Sequence, residues 1–295
     1  MSILIDENTT VVIQGLSGFQ AKFDTEGSLR YGTKVVAGVV PGRKGEQVLG
    51  LPIYNSVAEA AREHRPDAAV IYVPAQGAKD AICEAVHADI KLVLTLTEKV
   101  PFRDFSEAFR IAQLHGARLL GPNCNGVISP GRSKMGILGN DPRYFKPGPV
   151  GILSRSGGMI HEICNLLSRA GIGQSTAVSI GGDPMVGTSF MDGLELFETD
   201  DQTEAVVLYC EPGGRMEEQA AEFIAAGKFS KPVVVFIAGK FVESMPGGMP
   251  FGHAGAIIEG GLGKPSAKIE AFRLAGVPIA DRLDDVPDII KDMLN

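Results

Sequence analysis

Short β-branched runs alternate with helical stretches along almost the whole chain, and this alternation restricts the fold more than any other feature. In the first half, strands are expected at residues 11–13, 34–39, 68–73, 91–96 and 118–120. Helices are expected from the turn at 15–18 through residue 31, and at 56–64, 77–88 and 102–115, with Ser56 capping the second. Strands separated by helices of about ten to fifteen residues predict a parallel, doubly wound α/β sheet. Ligands of such sheets bind at the carboxyl ends of the strands. The rhythm lapses in GPNCNGVISPGRSKMGILGNDPRYFKPG and then restarts, with strands at 150–153, 175–180, 205–209 and 232–238. Helices are expected at 157–169, 189–198, 216–226 and 266–275, and again after residue 285. Two α/β domains are the expectation, 1–122 and 149–295, with 123–148 as their connector.

Composition narrows the functional classes. The chain is 44% hydrophobic and 21% charged, near the globular norm, which argues against general disorder. Its 37 Gly and 18 Pro fall mostly in short clusters between apolar runs, as tight turns and ligand-facing loops require. No apolar run approaches the ~18 residues of a membrane helix. Acidic residues in MSILIDENTT stand where a secretion signal carries Lys or Arg. A cytoplasmic protein is expected, in a bacterial or archaeal cytosol, or in a mitochondrial matrix if processed. With 28 Lys and Arg against 35 Asp and Glu, and no basic block, neither a nucleic-acid nor a membrane partner is expected. Cys83, Cys124, Cys164 and Cys210 form no C-x-x-C pair, so no metal site or disulfide framework is expected.

Three loops are expected to meet at one edge of the first domain. Gly15-Leu16-Ser17-Gly18-Phe19-Gln20 follows the first strand and opens a helix, where glycines admit a pyrophosphate to the helix N-terminus. By itself the stretch reads equally as a tight turn. Pro41-Gly42-Arg43-Lys44-Gly45 and Thr95-Leu96-Thr97-Glu98 also follow strands, and Arg43 and Lys44 supply charge for a phosphorylated ligand.

The second domain offers two further stretches. Ser154-Arg155-Ser156-Gly157-Gly158 leads into a helix carrying His161, and its free N–H groups suit a carboxylate or phosphoryl group; an ordinary capped helix has the same sequence. Phe251-Gly252-His253-Ala254-Gly255-Ala256 is the sharper feature. A lone His is more often structural or merely exposed, but small neighbours leave this ring accessible, as a phosphoryl-carrying nucleophile needs. Glu211, at the end of the 205–209 strand and before Pro212-Gly213-Gly214, is in a position to hold one ring nitrogen. His64, His87 and His115 lie in or beside surface helices and read as solvated.

In order along the chain, YGTKVVAGV, LPIYNSVAEA, VIYVPA, LTEKVP, GPNCNGVISPG, SRSGG, IGQSTAVSIGGDP, SKPVV and GHAGAII resemble the succinyl-CoA synthetase α-subunit family of NDP-forming acyl-CoA ligases. The resemblance covers essentially the whole length. It implies an N-terminal Rossmann-like CoA-binding domain and a C-terminal flavodoxin-like, parallel-sheet ligase domain. It implies that His253 is phosphorylated, with Glu211 orienting it. Ser17, Gly18, Phe19, Gln20, Arg43, Leu96, Thr97 and Glu98 are then the CoA contacts, and Ser156, Gly157, Gly158 and His161 face the acid or the phosphoryl group. A separate β subunit with an ATP-grasp domain, in an αβ or α2β2 heteromer, would bind ATP or GTP with Mg2+. The substrate would be a small carboxylic acid.

Three positions depart from the family pattern. Arg43 stands where the family usually has Lys, which keeps the charge and changes its geometry. Succinate-specific members read Ser-Gly-Thr-Leu-x-Tyr-Glu where this chain has Gly158 for the Thr and His161 for the Tyr. The Ser-Gly-Gly-Met form and Phe251 before Gly-His are similar to ATP-citrate lyase. Succinate therefore stands beside malate, citrate or another small dianionic acid as substrate, and a non-catalytic CoA-binding protein is a third reading.

Overall fold

The computed structural model describes residues 2–245, 252–258 and 262–295. The first sheet contains β1 (Thr10–Gln14), β2 (Lys34–Val39), β3 (Gln47–Val48), β4 (Leu51–Tyr54), β5 (Ala68–Ile71), β6 (Leu92–Thr95) and β7 (Arg118–Leu120), in the order β3-β4-β2-β1-β5-β6-β7. Its pairs are parallel apart from the short β3–β4 hairpin. Without β3, this is the Rossmann strand order, with its switch point between β1 and β5. Helices α1 (Phe19–Tyr31), α2 (Val57–His64), α3 (Ala75–His87) and α4 (Phe102–Leu114) cross between the strands. β5 and β6 are buried at every residue, which is why they read as unbroken apolar runs and not as alternations.

The second sheet contains β8 (Gly126–Ser129), β9 (Ser133–Gly136), β10 (Pro147–Ser154), β11 (Gln174–Ser179), β12 (Ala205–Cys210), β13 (Val233–Ile237) and β14 (Ile279–Ala280). Its order is β14-β13-β12-β10-β11-β8-β9. The parallel strands β10 to β14 have flavodoxin-like order, and the chain reverses direction at β10. Helices α5 (Gly157–Arg169), α6 (Phe190–Glu198), α7 (Met216–Ala225), α8 (Pro265–Leu274) and α9 (Val286–Leu294) complete this domain. Among the described residues no helix is long and apolar enough to cross a membrane.

The stretch expected as a connector, 123–148, is built into the second sheet. β8 pairs antiparallel with β11, and β9 with β8. Its Gly, Pro and Asn content hid two four-residue strands that are buried throughout. The hairpin also reaches back to the first domain. Thr33 Oγ1 donates to Lys134 O at 2.9 Å, and Asn140 Nδ2 donates to Asp24 Oδ1 at 2.9 Å. Lys134 Nζ bonds Asn140 Oδ1, and burial pushes its pKa down to about 8.

Two smaller differences have local causes. The strand expected at 68–73 stops at Ile71, because Pro74 caps α3 and that helix begins at Ala75 rather than Gly77. The β3–β4 hairpin has no counterpart among the expected strands; β4 carries Pro52 and only four residues.

One apolar core lies between the sheets. Val11, Ile13, Val70 and Leu94 of the first pack into the same cluster as Leu153, Val178, Val206 and Leu208 of the second. Fully burying an aliphatic side chain of this kind contributes about 1.5–3 kcal/mol, so the two domains meet over a shared interior. Backbone bonds close the seam: Gly187 N donates to Gly121 O at 2.8 Å and Asn123 N to Thr97 O at 3.0 Å.

Candidate active site

At the carboxyl ends of β10, β11 and β12 three loops converge on a histidine. Glu211 leaves β12, and its Oε2 accepts a hydrogen bond from His253 Nδ1 at 2.7 Å. The His253 side chain keeps 26% exposure and that of Glu211 11%. The bond to Glu211 raises the imidazole pKa above 6.5, against the opposing pull of burial. With Nδ1 committed to the carboxylate, Nε2 is the ring nitrogen left for chemistry. Gly182, after β11, lies directly against the ring, and Gly255 N donates to Gly182 O at 2.9 Å. Phe251 and residues 246–250, which precede His253, lie outside the described residues.

Beneath this pair lies a buried ionic cluster that sequence reading passed over. Arg155 is 1% exposed. Its Nη1 donates to Pro212 O and Gly213 O at 3.3 and 3.4 Å and lies 3.7 Å from Glu217 Oε1. Lys268 Nζ neutralises Glu217 at 2.6 Å and Glu218 at 3.0 Å. A β-carbon on Gly255 would fall 2.5 Å from Arg155 Nη2. The guanidinium therefore sits under both the Glu211 loop and the His253 loop and sets their spacing. Asp183 is also buried and accepts from Asn123 Nδ2 at 2.9 Å. The only signals for Arg155, Asn123 and Asp183 were their places in SRSGG, GPNCN and IGGDP, and Glu217, Glu218 and Lys268 lie in no such motif.

The start of α5 faces the same region. Ser156 is its N-cap, accepting from Met159 N at 3.4 Å. Helix geometry leaves other first-turn N–H groups for a ligand. Gly157 packs on Asn125, where a β-carbon would fall 2.1 Å from Cγ, whereas the space beside Gly158 is open. His161 turns toward its own domain's hairpin side: Nδ1 lies 3.2 Å from Gly157 O and the ring meets Phe145 edge-on. Burial lowers its pKa. None of these contacts brings His161 to His253 or Glu211.

In the first domain, the residues expected at the strand ends do lie along one edge. Gly18 caps α1 without a side-chain bond, Phe19 is exposed, and Gln20 Nε2 donates to Asp24 Oδ2 at 2.9 Å. Thr97 Oγ1 donates to Val73 O at 2.7 Å, beside the partly buried Leu96 and the exposed Glu98. Arg43 Nε donates to Glu46 Oε2 at 2.9 Å, and Lys44 lies 3.3 Å from Glu59. Both cations of that loop are thus held by carboxylates and would have to turn to meet a phosphate. At the switch point a cavity of about 380 Å³ is lined by Gly15, Val39, Pro41, Val73 and Gly77, with Glu84 at its side. Gly15 needs its positive φ of 83°, and a β-carbon there would press within 3.2 Å of the Tyr72 backbone.

Comparison with known proteins places this geometry in a family. Residues 6–99 match the CoA binding domain and residues 153–278 the CoA-ligase domain. Over all of this chain and 99% of its own length, an Archaeoglobus fulgidus protein called succinate–CoA ligase [ADP-forming] subunit alpha 1 is 51% identical. The chain belongs to the succinate–CoA ligase α-subunit family. A Staphylococcus aureus subunit alpha of the same ligase is 48% identical over 95% of this chain and 91% of its own. Among solved structures, the ATP citrate lyase of Methanosaeta concilii in complex with (3S)-citryl-CoA superposes with a TM-score of 0.91 at 26% identity. That match covers 99% of this chain and 50% of the lyase.

Within this α-subunit family the two matched segments divide the candidate residues between them. The CoA binding segment contains Ser17 to Gln20, Arg43 and Leu96 to Glu98; the CoA-ligase segment contains Arg155, Ser156 to Gly158, Asp183, Glu211 and His253. Asn123, which joins them, lies in neither. Among the described residues, no group of three His, Cys, Asp or Glu is placed to hold a metal ion.

Proposed function

We propose that this chain, with a β subunit, makes an acyl-CoA from a small carboxylic acid through phosphorylation of His253. The observation that carries the reading is the 2.7 Å bond between His253 Nδ1 and Glu211 in a loop of small residues. Glu211 fixes the tautomer, so that Nε2 presents its lone pair to the γ-phosphorus of a nucleotide and the diphosphate leaves. The nucleotide, ATP or GTP with Mg2+, belongs to an ATP-grasp domain of the β subunit in a cytoplasmic αβ or α2β2 assembly. From Nε2 the phosphoryl group passes to the carboxylate, giving an acyl phosphate and restoring the imidazole. The thiol of CoA then displaces phosphate. The first turn of α5, from Ser156 to Gly158, offers N–H groups to the transferring anion.

The first-domain edge fits CoA as the second substrate. Gly18 leaves the start of α1 uncapped by any side chain, and the adjacent cavity is apolar and of suitable size for a ring. Ser17 to Gln20 would hold phosphate, Arg43 would exchange Glu46 for a phosphate oxygen, and Leu96 to Glu98 would face the chain leading to the thiol. The names of its relatives favour succinate as the acid. The open space at Gly158 favours a second reading, a substituted acid such as malate or citrate. The test is a panel of acids assayed with CoA, nucleotide and the reconstituted subunits. Acyl-CoA formation from one of these acids supports the ligase reading, and CoA binding without any turnover contradicts it.

A further inference from the structure

We propose that Asp183 is the base that removes the proton from the CoA thiol. The inference rests on the ligase reading above and concerns its last step, to which the phosphohistidine contributes nothing. An unperturbed thiol has a pKa of about 8.5 and is largely protonated at neutral pH. A group at the seam between the CoA loops and His253 that accepts that proton as the C–S bond forms would speed the step.

Among the described residues, two carboxylates face His253: Glu211 and Asp183. Glu211 is committed to Nδ1. Asp183 follows Gly182, the residue on which the imidazole rests, and is 5% exposed. It is fastened from the CoA side through Asn123, whose Nδ2 donates to Asp183 Oδ1 at 2.9 Å and whose backbone N donates to Thr97 O at 3.0 Å. Asn123 O in turn accepts from Gly182 N at 3.0 Å. One short run of bonds thus leads from the 96–98 loop to the phosphohistidine loop, with the Asp183 carboxylate along it. Pro122, Phe102, Phe105 and Met185 line a small cavity beside it, so one side of Asp183 is apolar.

The charged groups facing Asp183 are His253, Arg155 and Glu98, together with the Asn123 amide. Burial and Glu98 raise its pKa, while Asn123, His253 and Arg155 act against them; the net direction is up. A carboxylate so raised is a stronger base than one in water. In the step itself, an Asp183 oxygen takes the S–H proton as sulfur attacks the carbonyl carbon of the acyl phosphate. The C–O bond to phosphate breaks, phosphate leaves with the electron pair, and the proton on Asp183 returns to solvent.

The test uses the chain reconstituted with its β subunit and follows three quantities in wild type, Asp183→Asn and Asp183→Glu. These are His253 labelling from γ-labelled nucleotide, acyl phosphate trapped as the hydroxamate without CoA, and acyl-CoA formation between pH 6 and 9. In Asp183→Asn, labelling and trapping should stay within about threefold of wild type. Acyl-CoA formation should fall on the order of a hundredfold at pH 7 and recover toward pH 9 as the thiol ionises. Asp183→Glu should restore part of the loss. Normal acyl-CoA formation in Asp183→Asn, a loss with no recovery at high pH, or a loss of His253 labelling would each overturn the assignment, the last by showing that Asp183 serves the histidine. Absent labelling in wild type would instead sink the ligase reading, and the thiol-base role with it.

Discussion

The α-carbon of Gly182 lies flat against the imidazole of His253: a β-carbon built on it would fall 2.3 Å from Cγ and 2.4 Å from Cδ2. Glycine at 182 is therefore a requirement of the histidine's position, with the ring held between that backbone and the Glu211 carboxylate. Gly182→Ala should force the His253 loop outward and cost about 1–3 kcal/mol of stability, as overpacking of a tight site does. His253 phosphorylation should slow by at least tenfold while circular dichroism still reports a folded chain. Labelling at the wild-type rate would show that the ring does not rest there.

Glu211 raises the pKa of His253, and only the neutral imidazole is nucleophilic. Phosphorylation should therefore fail as pH drops through a value above 6.5. Glu211→Gln keeps the shape and removes the charge, so the imidazole pKa falls and the acid limb of the profile moves to lower pH. The plateau rate should also drop, because the amide orients the ring less firmly. The rate of labelling against pH, measured on both proteins, checks this; coincident acid limbs would exclude the pair as the cause.

Much of the scaffold was legible because its strands are buried on both faces and so appear as plain apolar runs between helices. Lys34–Val39, Arg118–Leu120 and Gly157–Arg169 have the boundaries the sequence implies. The Glu211–His253 partnership was legible from chemistry, since each stands alone in a glycine-rich loop. Arg155, Asn123 and Asp183 were not singled out, because their meaning lies in contacts across long sequence separations. Asn123 meets Asp183 sixty residues away, and Arg155 meets Pro212 fifty-seven away. No local period records such pairs. The β8–β9 hairpin was masked for another reason: its glycines satisfy backbone geometry, with Gly126 and Gly136 both at positive φ, and they resemble a linker in composition.

Gly158 has nothing within 4 Å of a β-carbon built on it, at the helix start proposed to face the transferring group. Gly158→Thr should fold with an unchanged Tm and fill space available to a substituent on the acid. The ratio of kcat/KM for malate or citrate to that for succinate should fall by tenfold or more. His161 packs on Phe145, so His161→Tyr alone should move that ratio less. A ratio unmoved by Gly158→Thr would separate this position from acid selection.

Arg43 is engaged by Glu46, three residues on, at the exposed mouth of the first-domain edge. If CoA must compete for the guanidinium, Glu46→Gln should tighten CoA binding several-fold. Arg43→Ala should weaken it on the order of tenfold by removing a charge-assisted bond to phosphate. Calorimetric titration of both variants decides the matter, and equal affinities would place the CoA phosphates elsewhere.

Acyl-CoA formation by the proposed route requires His253 to carry phosphate. The most direct measurement incubates the chain and its β subunit with γ-labelled nucleotide, without CoA, and maps the base-stable, acid-labile label. Label on His253 in wild type, and none on the chain in His253→Asn, is the predicted result. Label that persists in His253→Asn, or no label on wild type in a pair that binds nucleotide and CoA, would contradict it.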